Sequence, residues 1–403
     1  MTGPEMADAA GTQQAGGPLA GLRILDLSGY IAGPYGCTLL ADQGAEVIKI
    51  EPPEGDNLRK YPSTLASEGR AFLGVNRGKL GVSLDLKKAQ GREVLLRLVA
   101  TADVLVHNFR PSVPARLGMD YATLQQVNPR LIYCTLNGYG DSGPLKDKAG
   151  YDQVLQAMTG ICAMQGSPEH PEIVYGSVVD YYAAALLAGG VSSALYQRER
   201  TGKGMAVNIS LLRSALAMQS ARMVWAEGEP RDVYRDMRSG GITGLHPTGA
   251  GSLYISANTP HFWKALCELV GLPHLAGDER YDTVRKRAQQ ADELVPLIRE
   301  ALRHRTALEW EELFGERVPC AAARQVEDMF DHPQVAAEGM MQRFTHPLVG
   351  SYRGFARAVT FGGGHPGDAL PAPVFGQHSD EVLARHGYSA EQIDRLRDEG
   401  VIA

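Results

Sequence analysis

The chain has 403 residues, of which 44% are hydrophobic, 21% charged and 7% aromatic, a balance that excludes disordered and collagen-like chains and predicts a well-packed protein. Its formal charge of -6 excludes a general nucleic-acid binder, which needs a basic face to displace counterions, but leaves room for a local basic pocket holding one anionic ligand. Because single hydrophobic cores stop growing at roughly 250–300 residues, the length predicts two domains.

Residues 1–17 are rich in Gly, Ala and Gln and lack the basic start and apolar run of a signal peptide, so they read as a flexible tail. Residues 22–27 (LRILDL) form a short apolar run of strand length, followed by a glycine-punctuated turn over 28–33. Pro34 then opens a helix that stops near Gly44, and residues 45–50 (AEVIKI) read as a second strand. A second βαβ unit follows. Residues 80–86 are strand-like, Val94, Leu95, Leu98 and Val99 recur at helical spacing, and 103–107 return as strand. With a further strand over 131–136 (LIYCTL), the first two hundred residues predict a parallel sheet covered by helices, an α/β fold.

Residues 181–200 are Ala- and Leu-rich, close on Arg198 and Arg200 and stop at Gly202, which predicts a buried helix. A strand resumes over 205–209. From about Trp225 the composition changes, with a hairpin-like stretch over 251–257 and helices over 262–270 and 293–304, which predicts a smaller second domain. Ser389 and Gln392 stand at capping-box spacing and open a last helix through Ile393 and Leu396. No stretch approaches about 18 uninterrupted apolar residues, so no membrane partner is expected. Cys37, Cys134, Cys162, Cys267 and Cys320 form no CxxC pair and have no histidine at metal spacing; they read as core thiols of a cytoplasmic protein without a metal.

Several motifs carry chemistry, and each has a plainer reading beside it. Gly29, Gly33 and Gly36 miss the G-x-G-x-x-G spacing that brings backbone against a pyrophosphate, so they fit close helix packing better than a dinucleotide site. Gly140-Asp141-Ser142-Gly143-Pro144 resembles a serine-protease nucleophile segment, but it follows βαβ units and reads as a turn. Asp180 stands at the start of the apolar helix. It is either a cap answering the macrodipole or a carboxylate nucleophile held ionised by the free amides there, and sequence geometry does not choose. Leu84-Asp85-Leu86-Lys87 and Asn108-Phe109-Arg110-Pro111 each end a strand, where a parallel sheet places its ligand crevice. Arg59, Lys87, Arg110 and Arg116 are candidates for the phosphates of an anionic ligand, although any one of them is equally a solvated surface residue.

Taken together, these pieces resemble the family III CoA-transferases, the group that includes formyl-CoA transferase and the carnitine CoA-transferases. The resemblance runs from about Gly21 to the C-terminus through Ala32-Gly33-Pro34, residues 44–51 (GAEVIKIE), 84–87, 108–111, 128–133, 138–144, Gly150-Tyr151-Asp152 and Thr201-Gly202-Lys203-Gly204. It implies a large Rossmann-like CoA-binding domain over 18–205 and 335–403, a small α+β domain over 225–330, and ring-like subunits threaded into an interlocked homodimer. Asp180 takes the place of the catalytic aspartate. Arg59, Leu84, Leu86, Lys87, Asn108, Phe109, Arg110 and Arg116 take the places of CoA contacts, and Tyr151 and Asp152 join them as binding residues, Asp152 close to the catalytic position.

The resemblance further implies that CoA passes from an acyl-CoA donor to a carboxylic acid through an aspartyl anhydride and an aspartyl-CoA thioester. CoA is then a substrate, with no permanently bound cofactor. A sister group, the α-methylacyl-CoA racemases, carries histidine in Gly-His-Asp; Tyr151 replaces it here, and a tyrosine near its reference pKa of about 10 is a poor proton exchanger at neutral pH. A non-catalytic CoA-binding protein is the remaining alternative. Arg222, Arg231, Arg235 and Arg238 could meet a second carboxylate, which points to succinyl-CoA and a small dicarboxylate. The Gly240-Gly241-Ile242-Thr243-Gly244 loop is a candidate lid against water.

Overall fold

Ile24, Val47, Val104 and Ile132 lie in one buried cluster and Leu25, Ile48, Leu105 and Tyr133 in another, so each strand sends alternate side chains into two cores. Such strands must be covered on both faces. In the computed structural model, which describes residues 16–65, 67–167, 169–230, 242–362 and 370–403, they form a six-stranded parallel sheet. The strands are β1 (Arg23–Asp26), β2 (Glu46–Glu51), β3 (Lys79–Ser83), β4 (Val104–His107), β5 (Ile132–Asn137) and β6 (Ala206–Ser210). Their order is β3-β2-β1-β4-β5-β6, which reverses direction between β1 and β4 and opens a crevice beyond the carboxyl ends of those two strands.

One face is covered by helix α1 (Ala32–Ala41) and, later in the chain, by the 24-residue helix Val178–Thr201. The other is covered by α2 (Ala89–Val99) and the C-terminal helices Ser379–Arg385 and Ala390–Asp398, the last opened by the Ser389–Gln392 capping box. Helix α3 (Asp152–Met158) precedes the long helix, which is α4 in chain order. By length and composition alone α4 is apolar enough to cross a membrane. Its buried stripe, including Ala183, Ala184, Leu187 and Val191, instead belongs to the core it shares with α1. There Gly36 lets the two helices approach, since a Cβ on it would stand 2.9 Å from Leu187 Cδ2. The helix ends at Gly202, whose φ of 70° and N–H bond to the Arg198 carbonyl make a left-handed cap.

The chain divides into two compact units, 1–223 with 334–403, and 224–333. The second unit has its own antiparallel sheet of Gly244–Pro247, Ser252–Ile255 and Cys320–Ala322. Its core is built on Trp263, Leu266, Ile298, Trp310 and Phe314. All five cysteines are free thiols. Observed helix starts differ from the sequence reading at two places that bear on function. Helix α1 begins at Ala32, two residues before Pro34, and α4 begins at Val178, which puts Asp180 inside the first turn rather than ahead of it.

Candidate functional site

The crevice is built on a buried charge network. At the end of β1, Asp26 receives Lys79 at 2.8 Å, and both side chains are fully withdrawn from water. Burial alone would raise the Asp26 carboxyl, but Lys79 and Lys49 overcome it and hold the group at about 2. Lys49, on β2, donates to Asp56 at 2.9 Å and also to the Ser28 carbonyl, so the turn leaving β1 is fastened from below. From the side, Asn108 after β4 clasps Gly29 with two bonds, accepting its N–H at 3.0 Å and donating to its carbonyl at 2.8 Å. His107 beneath it accepts the Phe109 N–H and bonds Tyr133 at 2.7 Å; burial pushes this imidazole down to about 4. It therefore acts as a neutral spacer that fixes Phe109, whose ring stacks on it.

The amides at the start of α4 do not belong to Asp180. Asp152, the first residue of α3 and 2% exposed, accepts Val179 N–H at 2.7 Å and Asp180 N–H at 3.0 Å on one oxygen and the Gln156 side chain on the other. That corrects the expectation that free helix amides hold Asp180 ionised. A carboxylate from 28 residues upstream satisfies the orphan donors. Asp180 is left half-buried, with no ion pair to any described residue, and desolvation together with the Asp152 charge pushes its carboxyl up to about 7. The backbone that turns into α4 passes through two left-handed residues, Gly176 at φ 102° and Ser177 at φ 58°. Among the described residues, Ser177 and Tyr30 (φ 63°) are the non-glycine positions with positive φ, and both line the cavity that holds Asp180.

That cavity, of about 460 Å³, gathers Asn108, Phe109, Arg110, Tyr151, Asp152 and Asp180 from the positions singled out in the sequence. A neighbouring hollow of about 450 Å³ gathers Leu84, Leu86, Lys87 and Arg116. Leu27, Ile50, Glu51, Pro52 and Phe109 line both, so the two adjoin along a shared wall. Lys87 and Arg116 are exposed there, and Lys87 reaches Glu54 at 3.4 Å.

Arg59 lines neither hollow. Its guanidinium is held by Glu51 at 2.7 Å, by Glu68 and by the Pro373 carbonyl, and lies 3.6 Å over the Phe72 ring. These contacts take up four of its five N–H donors and brace the Asp56 turn, so the expected CoA contact stands outside both hollows with one donor left over. The sequence reading missed Tyr30, Asn57, Tyr61, Lys146 and Lys148, which also line the cavity. Both lysines are exposed on the loop after β5. Their position at the carboxyl end of a sheet strand is the signal that could have found them.

Arg222 lies in a short turn over Ser220–Arg222, outside both hollows. Arg231, Arg235, Arg238, Gly240, Gly241 and all but the last two residues of the tail fall outside the described residues. Of the candidate lid, Ile242 is buried in the core of the second unit and Gly244 opens a strand there.

The sequence profile of CoA-transferase family III matches residues 19–379. Among curated proteins, the succinyl-CoA:glutarate CoA-transferase of Mus musculus is 32% identical over 393 residues, covering 96% of this chain and 90% of the mouse protein. The acetyl-CoA:oxalate CoA-transferase of Acetobacter aceti is 37% identical over 347 residues, covering 81% and 85%. Among solved structures, a CAIB/BAIF family protein from Brucella suis matches with a TM-score of 0.80 at 29% identity, over 92% of this chain and 99% of that one. A match of that extent, on a fold whose crevice holds an unpaired carboxylate, identifies the chain as a CoA-transferase enzyme belonging to family III.

Proposed function

We propose that the enzyme moves CoA from an acyl-CoA donor to a carboxylic acid acceptor, with Asp180 as the covalent nucleophile. The observation that carries this reading is an unpaired, half-buried carboxylate in a cavity adjoining a hollow that carries Lys87 and Arg116. The nucleotide of CoA would lie in that second hollow and the pantetheine arm would pass Phe109 toward Asp180. An Asp180 oxygen then attacks the thioester carbonyl, the C–S bond breaks and CoA thiolate leaves, giving a mixed anhydride. The thiolate attacks the aspartyl carbonyl of the anhydride, the donor acid departs as carboxylate, and an aspartyl-CoA thioester remains. The acceptor carboxylate attacks that thioester and expels CoA thiolate. The thiolate then attacks the acceptor carbonyl of the new anhydride and restores Asp180. Atoms and charge balance without a metal, a redox cofactor or a proton.

Withdrawal from water serves this chemistry twice. It makes the carboxylate less solvated and so more reactive when ionised, and it limits hydrolysis of the anhydride. Succinyl-CoA with a small dicarboxylate acceptor is the reading of substrate, in line with the pairing in the mouse relative's name. The working form would be an interlocked homodimer. The solvent-facing Tyr175, Tyr182, Leu186 and Tyr196, on and beside α4, are apolar surface for a second copy to cover.

Incubation with an acyl-CoA and then hydroxylamine, followed by peptide mass spectrometry, should place one modification, on Asp180. Labelling elsewhere, or α-proton exchange into deuterated water without transfer, would sink the reading.

A further inference from the structure

The turn between β1 and α1 is strained at one side chain that lines the cavity. Tyr30 sits at φ 63°, a region that glycine enters freely and a side chain does not. Its surroundings hold it there. The Tyr30 N–H donates to Asp56 Oδ1 at 3.3 Å, Asp56 is fixed by Lys49, and the preceding Gly29 is clasped by Asn108. What this over-determined turn delivers is a phenol ring in the cavity wall. The ring meets Tyr151 edge-on at 5.6 Å and Tyr61 at 6.5 Å between centroids, and its hydroxyl accepts Asn57 Nδ2 at 3.0 Å. Tyr151 is followed directly by Asp152, whose carboxylate binds the Asp180 N–H. The aromatic cluster therefore lines the cavity that holds Asp180, and not the hollow lined by Leu84 and Lys87.

We propose that Tyr30 is a specificity-determining residue which, with Tyr61 and Tyr151, closes the acyl end of the cavity and admits short acyl groups carrying a polar end. The inference rests on the CoA-transfer reading. Rings that meet edge to face narrow the space left for a long alkyl chain. An alkyl chain pressed on this wall would offer the phenol hydroxyls no partner, whereas a terminal carboxylate or hydroxyl would accept from them.

The test uses the full-length enzyme and its Tyr30→Gly and Tyr30→Phe variants, with calorimetric binding of CoA, succinyl-CoA and octanoyl-CoA. Tyr30→Gly removes the ring and the backbone strain together, so its Tm should equal or exceed that of the parent. Its preference for succinyl-CoA over octanoyl-CoA should fall by about tenfold or more, the scale of a lost pocket contact, while CoA alone binds within about threefold of the parent. Tyr30→Phe should keep the exclusion of octanoyl-CoA and weaken succinyl-CoA by about threefold to tenfold. An unchanged preference in Tyr30→Gly, or equal losses for CoA and both thioesters, would overturn the inference. Because binding needs no turnover, thioester binding without an Asp180 adduct would refute the transfer mechanism while the binding ratio still decided the role of Tyr30.

Discussion

Asp26 and Asp180 are the same residue withdrawn from water in the same unit, yet they end on opposite sides of the ordinary carboxylate range. Asp26 at the end of β1 faces two buried lysines and is held at about 2; Asp180 in the first turn of α4 faces another carboxylate and stands near 7. Burial penalises both, and the sign of the neighbouring charge decides the outcome. The paired acid is a fastening, because neutralising it would strand Lys79. The unpaired acid has no such partner, and Asp152 beside it already takes the helix amides on one oxygen and Gln156 on the other.

The comparison breaks most visibly if the unpaired acid is removed. Asp180→Asn should lose CoA transfer by about 10⁴-fold or more, the scale seen when a covalent nucleophile is deleted. CoA binding by calorimetry should be retained, and a variant with full activity would end the nucleophile assignment. Next in size, Lys79→Met leaves Asp26 buried without its partner and should destabilise the protein by about 3–5 kcal/mol. In a unit of this size that is roughly 5–10 °C in a thermal melt, and a drop under 2 °C would mean the pair is dispensable.

The charge on Asp152 gives a sharper probe. In the proposed mechanism only ionised Asp180 attacks, so kcat/KM should fall about tenfold per pH unit below about 7 and level off above it. Asp152→Asn should move that midpoint toward acid by roughly 1 unit, because the like charge is gone while an amide oxygen can still accept the two N–H groups. It also turns an NH₂ toward the donating Gln156 amide, so some stability should be lost; an unmoved midpoint would assign the Asp180 shift to burial alone.

The smallest effect is on folding. Asp180 titrates at 3.8 unfolded and about 7 folded, so between those values the folded state holds a proton that the unfolded state has released. Stability therefore falls as pH rises through that window, and the loss is complete above 7. Asp180→Asn escapes it, and should melt about 1–3 °C higher than the parent at pH 8, with the gap closing near pH 4. A gap independent of pH would remove the basis for the raised value.

Much of this was readable from the chain. Strands buried on both faces leave continuous apolar runs such as LRILDL and LIYCTL, and Asp180 at the head of an Ala/Leu-rich helix is a local signal. What stayed illegible lies where partners are distant or conformation is unmarked. Arg59 is taken up by Glu51 and Glu68, and nothing in the spacing separates such a brace from a phosphate ligand. Asp152 caps a helix that begins 26 residues later, in a role sequence reasoning gives to an adjacent residue. Tyr30 occupies a backbone region that invites glycine, so no propensity argument could place its ring in the cavity.

The close passage of α1 over α4 at Gly36 reaches further than its own neighbourhood. Helix α1 starts directly after the turn that presents Tyr30, and Ala184, whose carbonyl a Cβ at Gly36 would meet at 3.2 Å, lies one helical turn beyond Asp180. A single added methyl would thus act as a shim between the two elements that carry Tyr30 and Asp180, altering their separation without touching either side chain.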